Sequence, residues 1–512
     1  MNPTSAAPSG ASAPVRSPRR PKTLFDRLAY GFGSVAYGVK DNGFNTLLLL
    51  YYNQVLGMPA SQVGLALLIV LVIDAAVDPI IGYVSDNTRS RWGRRHPFMY
   101  ASAIPVAISY LALWAPPGEL SNGQLFAYLI VVASIVRVFL SFNEIPSTSL
   151  VADLSVDYDE RTRFLSYRYF FGWWGGLVMS IVAFSVFLRP TAAFPTGQLN
   201  PVGYLHYGLV ASVIMLIAIL ISALGTHRHI PSFALPPPKR PLNARRVARE
   251  VAETLWNRPF LVMSLAALFG YMAQGVNYAM LIYFRTFIWE LSGDQISFLI
   301  FGNFASTVVA LFLAPWLSGR LGKKRAAILI AGLVIVLSPM VYVLRLLGVM
   351  PPNGTDLLLG ALFASSFVNT VLAITAGILT ASMFADVVEH SELTTGCRSE
   401  GMFFSANSFV MQCVSGVGLF LTGIILDFAG FPEGAKPGQV PDPTLIRLMI
   451  TELPVVAGLQ LFALACLFAY PITRAHHRAN LERLAKRDAG TPAGGAAGAE
   501  RAGLPHAEPS SV

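Results

Sequence analysis

The sequence predicts an all-α polytopic membrane protein of twelve transmembrane helices arranged as two six-helix bundles. Three observations predict it. Of the 512 residues, 54% are hydrophobic and only 13% charged, with a mean hydropathy of +0.56. Soluble domains carry roughly 25% charged residues, so a chain this long with so few charges cannot cover a water-facing surface. Apolar runs long enough to cross a bilayer, about 20 residues each, recur along the chain. Basic residues crowd every second loop between those runs.

Taken in order, the first six spans are 28–55, 60–86, 97–116, 124–151, 164–188 and 204–225. Six more follow at 259–289, 296–320, 326–349, 355–388, 400–427 and 444–472. Span 1 has the weakest pattern, because Lys40 and Asp41 interrupt it. The runs are long and do not alternate every second residue, which argues against barrel strands. Residues 1–24 form a basic tail rich in Pro, Ser and Ala, with no apolar stretch resembling a cleavable signal. Residues 473–512 form a second tail whose Gly/Ala/Pro end has no core-forming pattern. Cys397, Cys413 and Cys466 have neither metal-ligand spacing nor a disulfide framework, so they are expected to be small packing residues.

The net charge of +9 raises the question of a nucleic-acid partner. Its distribution answers otherwise. Lys and Arg gather in the N-tail, at Arg89/Arg91/Arg94/Arg95, at Arg161/Arg163, in 226–258, at Arg320/Lys323/Lys324/Arg325 and at Arg474/Arg478/Arg483. The alternate loops hold few. This is the positive-inside asymmetry. It predicts an inner-membrane protein with both termini in the cytoplasm, and it leaves no role for nucleic acid.

The stretch 226–258 is the longest polar break and separates an N-terminal bundle, 25–225, from a C-terminal bundle, 259–472. Gly82 to Arg95 after span 2 is echoed by Ala314 to Arg325 after span 8, and VADLSVDYDERTR after span 4 by FADVVEHSELTTG after span 10. Gly93 and Gly322 lie 229 residues apart, Asp153 and Asp386 233. Near-equal offsets at matching loops predict a duplicated six-helix unit with a substrate site between the halves at mid-membrane.

Ionisable residues at membrane depth are costly and face a cavity or a partner. Asp74 and Asp78 are four apart on span 2 and share a face. Two carboxylates on one buried face repel. They suit a proton or sodium site, the alternative being ion pairs to arginines of span 4 or 5. On span 4, Arg137 and Glu144 share a face, with Pro146 just beyond; Ser141 and Glu144 join the candidate cation ligands, and Arg137 is a structural neutraliser. On span 1, Asp41, Asn42 and Asn45 are candidate solute ligands. Adjacent Lys40 and Asp41 point about 100° apart and cannot both face one partner, the alternative being an ion pair. On span 5, Arg168 lies among Tyr167, Tyr169, Trp173 and Trp174, suited to sugar stacking or to an interfacial belt. Gly172, Gly175 and Gly176 allow close helix contact. Span 7 offers Gln274, Asn277, Tyr278 and, nearer the outer end, Tyr283 as a hydrogen-bonding stripe, with Arg285 and Glu290 expected at the outer surface. Asp86, Arg94, Arg95, Asp153 and Asp386 are expected to hold loop ends or act as gates.

The motifs IDAAVDPIIGYVSDNTRSRWGRRHPF (Ile73–Phe98), AYGVKDNGF, FNEIPSTSLVADLSVDYDERTR, FADVVEHSE and RSEGMFFSANSF (Arg398–Phe409) resemble those of the glycoside–pentoside–hexuronide:cation symporters, the melibiose-permease branch of the major facilitator superfamily. The resemblance spans about residues 25–475. It implies the major facilitator fold and cation-coupled sugar or glycoside symport by alternating access. It also implies that Asp74, Asp78 and Glu144 bind the cation, and that Asp41 and Arg168 serve the solute, Arg168 being displaced by one position. Three departures stand out. Val77 replaces an amide before Asp78, Thr148 a tryptophan near the sugar, and Gln412 a lysine. Thr148 and Gln412 are therefore the positions where solute contacts differ, and a lysolipid or other amphiphile is the alternative cargo. No nucleophile–base pair, phosphate loop or metal motif points to an enzyme, and the tails are too short and polar to add a signalling domain. No cofactor is expected beyond a coupling ion, proton or sodium, and each chain is expected to work as a monomer.

Overall fold

The computed structural model describes residues 23–118, 120–155, 158–232, 258–395 and 416–471, without the side chains at 152, 158, 159, 161, 162, 258–260 and 385–395. Within these residues the regular structure is helical, in twelve successive helices. Helix 1 is assembled from Leu24–Phe32, Ser34–Asn42, a π-helical turn Gly43–Leu47, Leu48–Leu50 and a second π-helical turn Tyr51–Val55. Helices 2 to 6 are Ala60–Asn87, His96–Trp114, Asn122–Leu154, Tyr158–Val182 (extended by a π-helical turn, Ala183–Phe187) and Pro201–His227. Helix 7 is Arg258–Tyr283 with the π-helical turn Phe284–Ile288. Helix 8 is Gly293–Leu321, and helix 9 is Lys323–Leu337 broken at Ser338–Pro339 before Met340–Leu346. Helices 10 to 12 are Asp356–Thr395, Gly416–Ala429 and Asp442–Ala469. Ten of the twelve are long and apolar enough to cross a membrane; helix 1, in pieces, and the shorter helix 11 complete the set.

Local chemistry fixes the ends. Ser121 with Gln124 and Ser292 with Gln295 form capping boxes at the starts of helices 4 and 8, each satisfying two otherwise orphaned backbone donors. Gly93 and Gly322, the paired loop glycines, adopt φ of +75° and +79°. This left-handed region is cheap only without a Cβ, so both positions call for glycine.

Helices 1 to 6 pack chiefly on one another, as do helices 7 to 10 and 12. In the first half, Gly38 of helix 1 lies so close to Gly172 and Gly176 of helix 5 that a Cβ would collide with the Gly172 carbonyl. Tyr51 and Tyr52 donate to the Trp114 and Leu113 carbonyls at 3.1 and 3.0 Å, and Trp114 stacks on Tyr204 of helix 6. Each tyrosine thereby buries its ring without orphaning its hydroxyl.

The molecule has a basic end, carrying Arg94, Arg95, Arg228, Lys323 and Lys324, and a far end formed by the loops after helices 1, 3, 5, 7, 9 and 11. The halves are joined near the far end. Tyr283 donates to Asn53 Oδ1 at 2.9 Å, and Gln54 donates to the Pro432 carbonyl at 3.2 Å while accepting from the Ala435 amide at 2.8 Å. The Ser61 amide donates to Asp427 and Gln198 donates to the Leu291 carbonyl. Gly423 of helix 11 meets Ala60 of helix 2 so closely that a Cβ would strike the Ala60 carbonyl.

Candidate functional site

On the basic side of that seal lies a cavity of about 350 Å³, within the range of small-molecule sites. Helix 1 contributes Tyr37, Lys40, Asp41 and Asn45; helix 2 Leu71, Asp74 and Asp78; helix 4 Arg137, Leu140, Ser141, Glu144 and Ile145; helix 7 Tyr271, Gln274, Gly275 and Tyr278. The helical period explains the selection. Residues 271, 274, 275 and 278 fall on one face of helix 7, as 137, 141 and 144 do on helix 4.

Ion pairing organises the acidic side chains. Asp74, only 5% exposed, accepts from Arg137 Nη1 at 2.7 Å and from Ser141 Oγ at 3.2 Å. Glu144 accepts from Arg168 Nη2 at 2.5 Å, and Arg168 Nη1 also donates to Ser147 at 3.0 Å. Lys40 sits 3.7 Å from Asp41 and over the Tyr37 ring at 4.3 Å. Arg137 lies 5.2 Å from the Phe44 ring centroid, and Arg168 5.9 Å from that of Tyr30. The two buried arginines thus gain aromatic faces as well as carboxylates. Asp78 is half-buried one turn from Asp74 on the cavity wall.

The structure brings Asp41, Asn45, Asp74, Asp78, Ser141, Glu144, Arg137, Lys40 and Gln274 around one space. It separates others. Arg168 is held by Glu144 and Ser147 and does not line the cavity. Thr148 is exposed outside the cavity lining, with its hydroxyl returned to the Glu144 carbonyl at 2.7 Å. Asn277 turns to a different recess, shared with Tyr342 and Glu452; it is about 100° around the helix from Tyr278. Arg285, expected at the outer surface, is buried at 7% exposed in the π-helical turn of helix 7, with Ser366 3.5 Å away; Glu290 is exposed. Gln412 lies outside the described residues, and so does the side chain of Asp386. The loop residues tie neighbouring helix ends within the first half: Asp153 accepts from Arg94 at 2.7 Å and pairs with Arg95 at 3.1 Å, and Arg95 reaches Asp86 at 3.7 Å. Sequence reasoning missed Tyr271, though its position three residues before Gln274 and seven before Tyr278 marks the same face.

The chain matches the family described as MFS/sugar transport protein over residues 29–474. An uncharacterized symporter of Synechocystis sp. is 27% identical over 534 aligned positions, covering 88% of this chain and 94% of the relative. The isoprimeverose transporter of Lactiplantibacillus pentosus is 24% identical, covering 86% and 88%. The fold resembles the crystal structure of the nucleoside transporter NupG with a TM-score of 0.58 at 14% identity, over 88% of this chain and 99% of that one. With a multi-pass helical architecture and a family match over nearly its whole length, the chain belongs to the MFS/sugar transport protein family.

Proposed function

We propose that the protein is a symporter that moves a small polyhydroxylated solute, a sugar or glycoside, together with a monovalent cation. The observation that carries this reading is the charge balance around the cavity. Four carboxylates, Asp41, Asp74, Asp78 and Glu144, face three cations, Lys40, Arg137 and the Glu144 partner Arg168. With all of them ionised, the group carries one negative charge in excess at membrane depth, where an uncompensated charge is costly. One bound cation neutralises it. Val77 beside Asp78 offers no side-chain oxygen, which favours a proton over sodium.

Neutralisation lowers the cost of closing the cavity around its solute, and closure then exposes the site to the other side. The basic end faces the cytoplasm of an inner-membrane protein, by the positive-inside asymmetry. The far-end seal then makes the described state inward-facing. Residues 25–225 and 259–472 rock as two bodies joined by 226–258, with both tails cytoplasmic and a single chain sufficient for the pathway. Asp41, Asn45, Gln274 and Tyr278 supply hydrogen bonds to solute hydroxyls. A lysolipid cargo would call for a long apolar groove, whereas twelve of the sixteen described lining residues carry a polar group.

The test is purified protein in liposomes, screened with glycosides, pentosides, uronates and lysolipids under an imposed proton or sodium gradient. Accumulation of a sugar driven by the proton gradient is the expected result. Lysolipid movement with no sugar accumulation would overturn it.

A further inference from the structure

The second half contains an ionisable group that the cavity does not use. Glu452 lies in helix 12, ten residues past Asp442 and so roughly 15 Å from the helix start. It is 2% exposed. Among the described residues it makes no hydrogen bond and no ion pair. It borders a recess of about 10 Å³, room for one water. Asn277 of helix 7, Tyr342 of helix 9 and Gln460 of helix 12 share that recess. So do Ser338 and Pro339, where helix 9 breaks and where proline removes a backbone donor and frees a carbonyl.

An ionised carboxylate buried without a partner is among the costliest arrangements in a membrane protein. The charged side chains on the elements packed against helix 12 do not relieve it. Arg285 of helix 7 lies two turns beyond Asn277, roughly 12 Å along the axis, with Ser366 as its neighbour. Arg345 of helix 9 is placed over the Trp289 ring at 5.4 Å. Tyr342 is the titratable group that shares the recess, and its hydroxyl is neutral in the physiological range. A metal cation would gain one carboxylate and a few neutral oxygens in a space for one water. A proton makes the acid neutral and turns it into a donor towards the amide and hydroxyl oxygens around it.

We propose that Glu452, with Asn277, Tyr342 and Gln460, forms a second proton-binding site, in the C-terminal half and separate from the Asp74 cavity. It adds a titrating group to a half that, among the described residues, contributes no charge to the cavity lining. It is independent of which solute or ion the cavity carries.

The test is infrared difference spectroscopy of the full-length protein in lipid at pH 7, with hydrogen–deuterium exchange to mark acid protons. The wild type is expected to show a protonated carboxylic-acid carbonyl band that Glu452→Gln removes and Glu452→Asp retains at a shifted position. Titration to alkaline pH should release one proton fewer per chain from Glu452→Gln than from wild type. Glu452→Asp preserves the acid should the amide variant prove unstable. Identical acid bands in wild type and Glu452→Gln would overturn the proposal. So would an acid band that sodium abolishes in wild type, which would assign the recess to a metal cation.

Discussion

Arg168 donates to Glu144 at 2.5 Å and, with its other terminal nitrogen, to Ser147 at 3.0 Å. A fork spent on two residues of helix 4 fixes helix 5 against it and leaves few donors for a solute. Arg168 is therefore expected to act on folding and on the Glu144 charge more than on solute affinity. Arg168→Gln strands a carboxylate whose side chain is 30% exposed. The cost should be about 2 kcal/mol, below the 3–5 kcal/mol of breaking a fully buried pair. Glu144→Gln combined with Arg168→Gln should recover part of that loss in detergent melting curves. Additive losses in the double variant would show that the pair is not coupled.

The Asp74–Arg137 pair is more deeply buried, with 7% and 8% side-chain exposure. Asp74→Asn leaves the Arg137 guanidinium without its carboxylate and lowers the excess negative charge of the cavity. Gradient-driven accumulation should fall to background, whereas exchange of solute across the membrane without a gradient should persist at a reduced rate. Proteoliposome uptake with and without an imposed proton gradient separates the two. Accumulation that survives intact in Asp74→Asn would remove Asp74 from the coupling chemistry.

These pairings mark where sequence reading stops. The four-residue spacing of Asp74 and Asp78 put both on one face, because the helical period is local, and both line the cavity. The same period placed Gln274 and Tyr278 together, and it explains why Asn277 leaves the stripe. Which arginine meets which carboxylate depends on distances between helices, which no single-helix pattern encodes. Glu452 gives no signal in the sequence, because one acid in a long apolar run has no periodic partner. Arg285 reads as interfacial because it is a charge near a span end, whereas the structure buries it in the π-helical turn Phe284–Ile288. Gly93 and Gly322, the glycines that the 229-residue offset pairs, both take a positive φ.

The far-end seal makes a conformational prediction. Gly423 and Ala60 approach so closely that any side chain at 423 must part helices 2 and 11. Gly423→Leu should therefore favour the state open at the far end. Ser141→Cys on the cavity wall provides the probe, in a background lacking the three native cysteines. In intact cells a membrane-impermeant thiol reagent should label it at least several-fold faster with Gly423→Leu than without. Equal labelling rates would mean that the Gly423 contact does not set access.

At the basic end, Asp26, in the first turn of helix 1 and ahead of the apolar run 28–55, provides a pH-dependent anchor. It is fully buried, and burial alone would raise its pKa. The Thr23 amide at 2.7 Å, His229 at 2.7 Å and Arg228 at 2.6 Å outweigh that and hold it at about 2, below the usual 3.8. A carboxylate with a depressed folded pKa stabilises above its unfolded pKa and loses that contribution as pH falls through the folded value. Asp26→Asn should thus cost about 2 kcal/mol at pH 6. The gap to wild type should narrow once pH drops below the ordinary carboxylate range, and it should close near pH 2. Melting temperatures of both proteins in detergent from pH 6 down to pH 3 would follow the first part of that convergence. A gap that stays constant across this range would mean that Asp26 holds helix 1 to the end of helix 6 by packing rather than by charge.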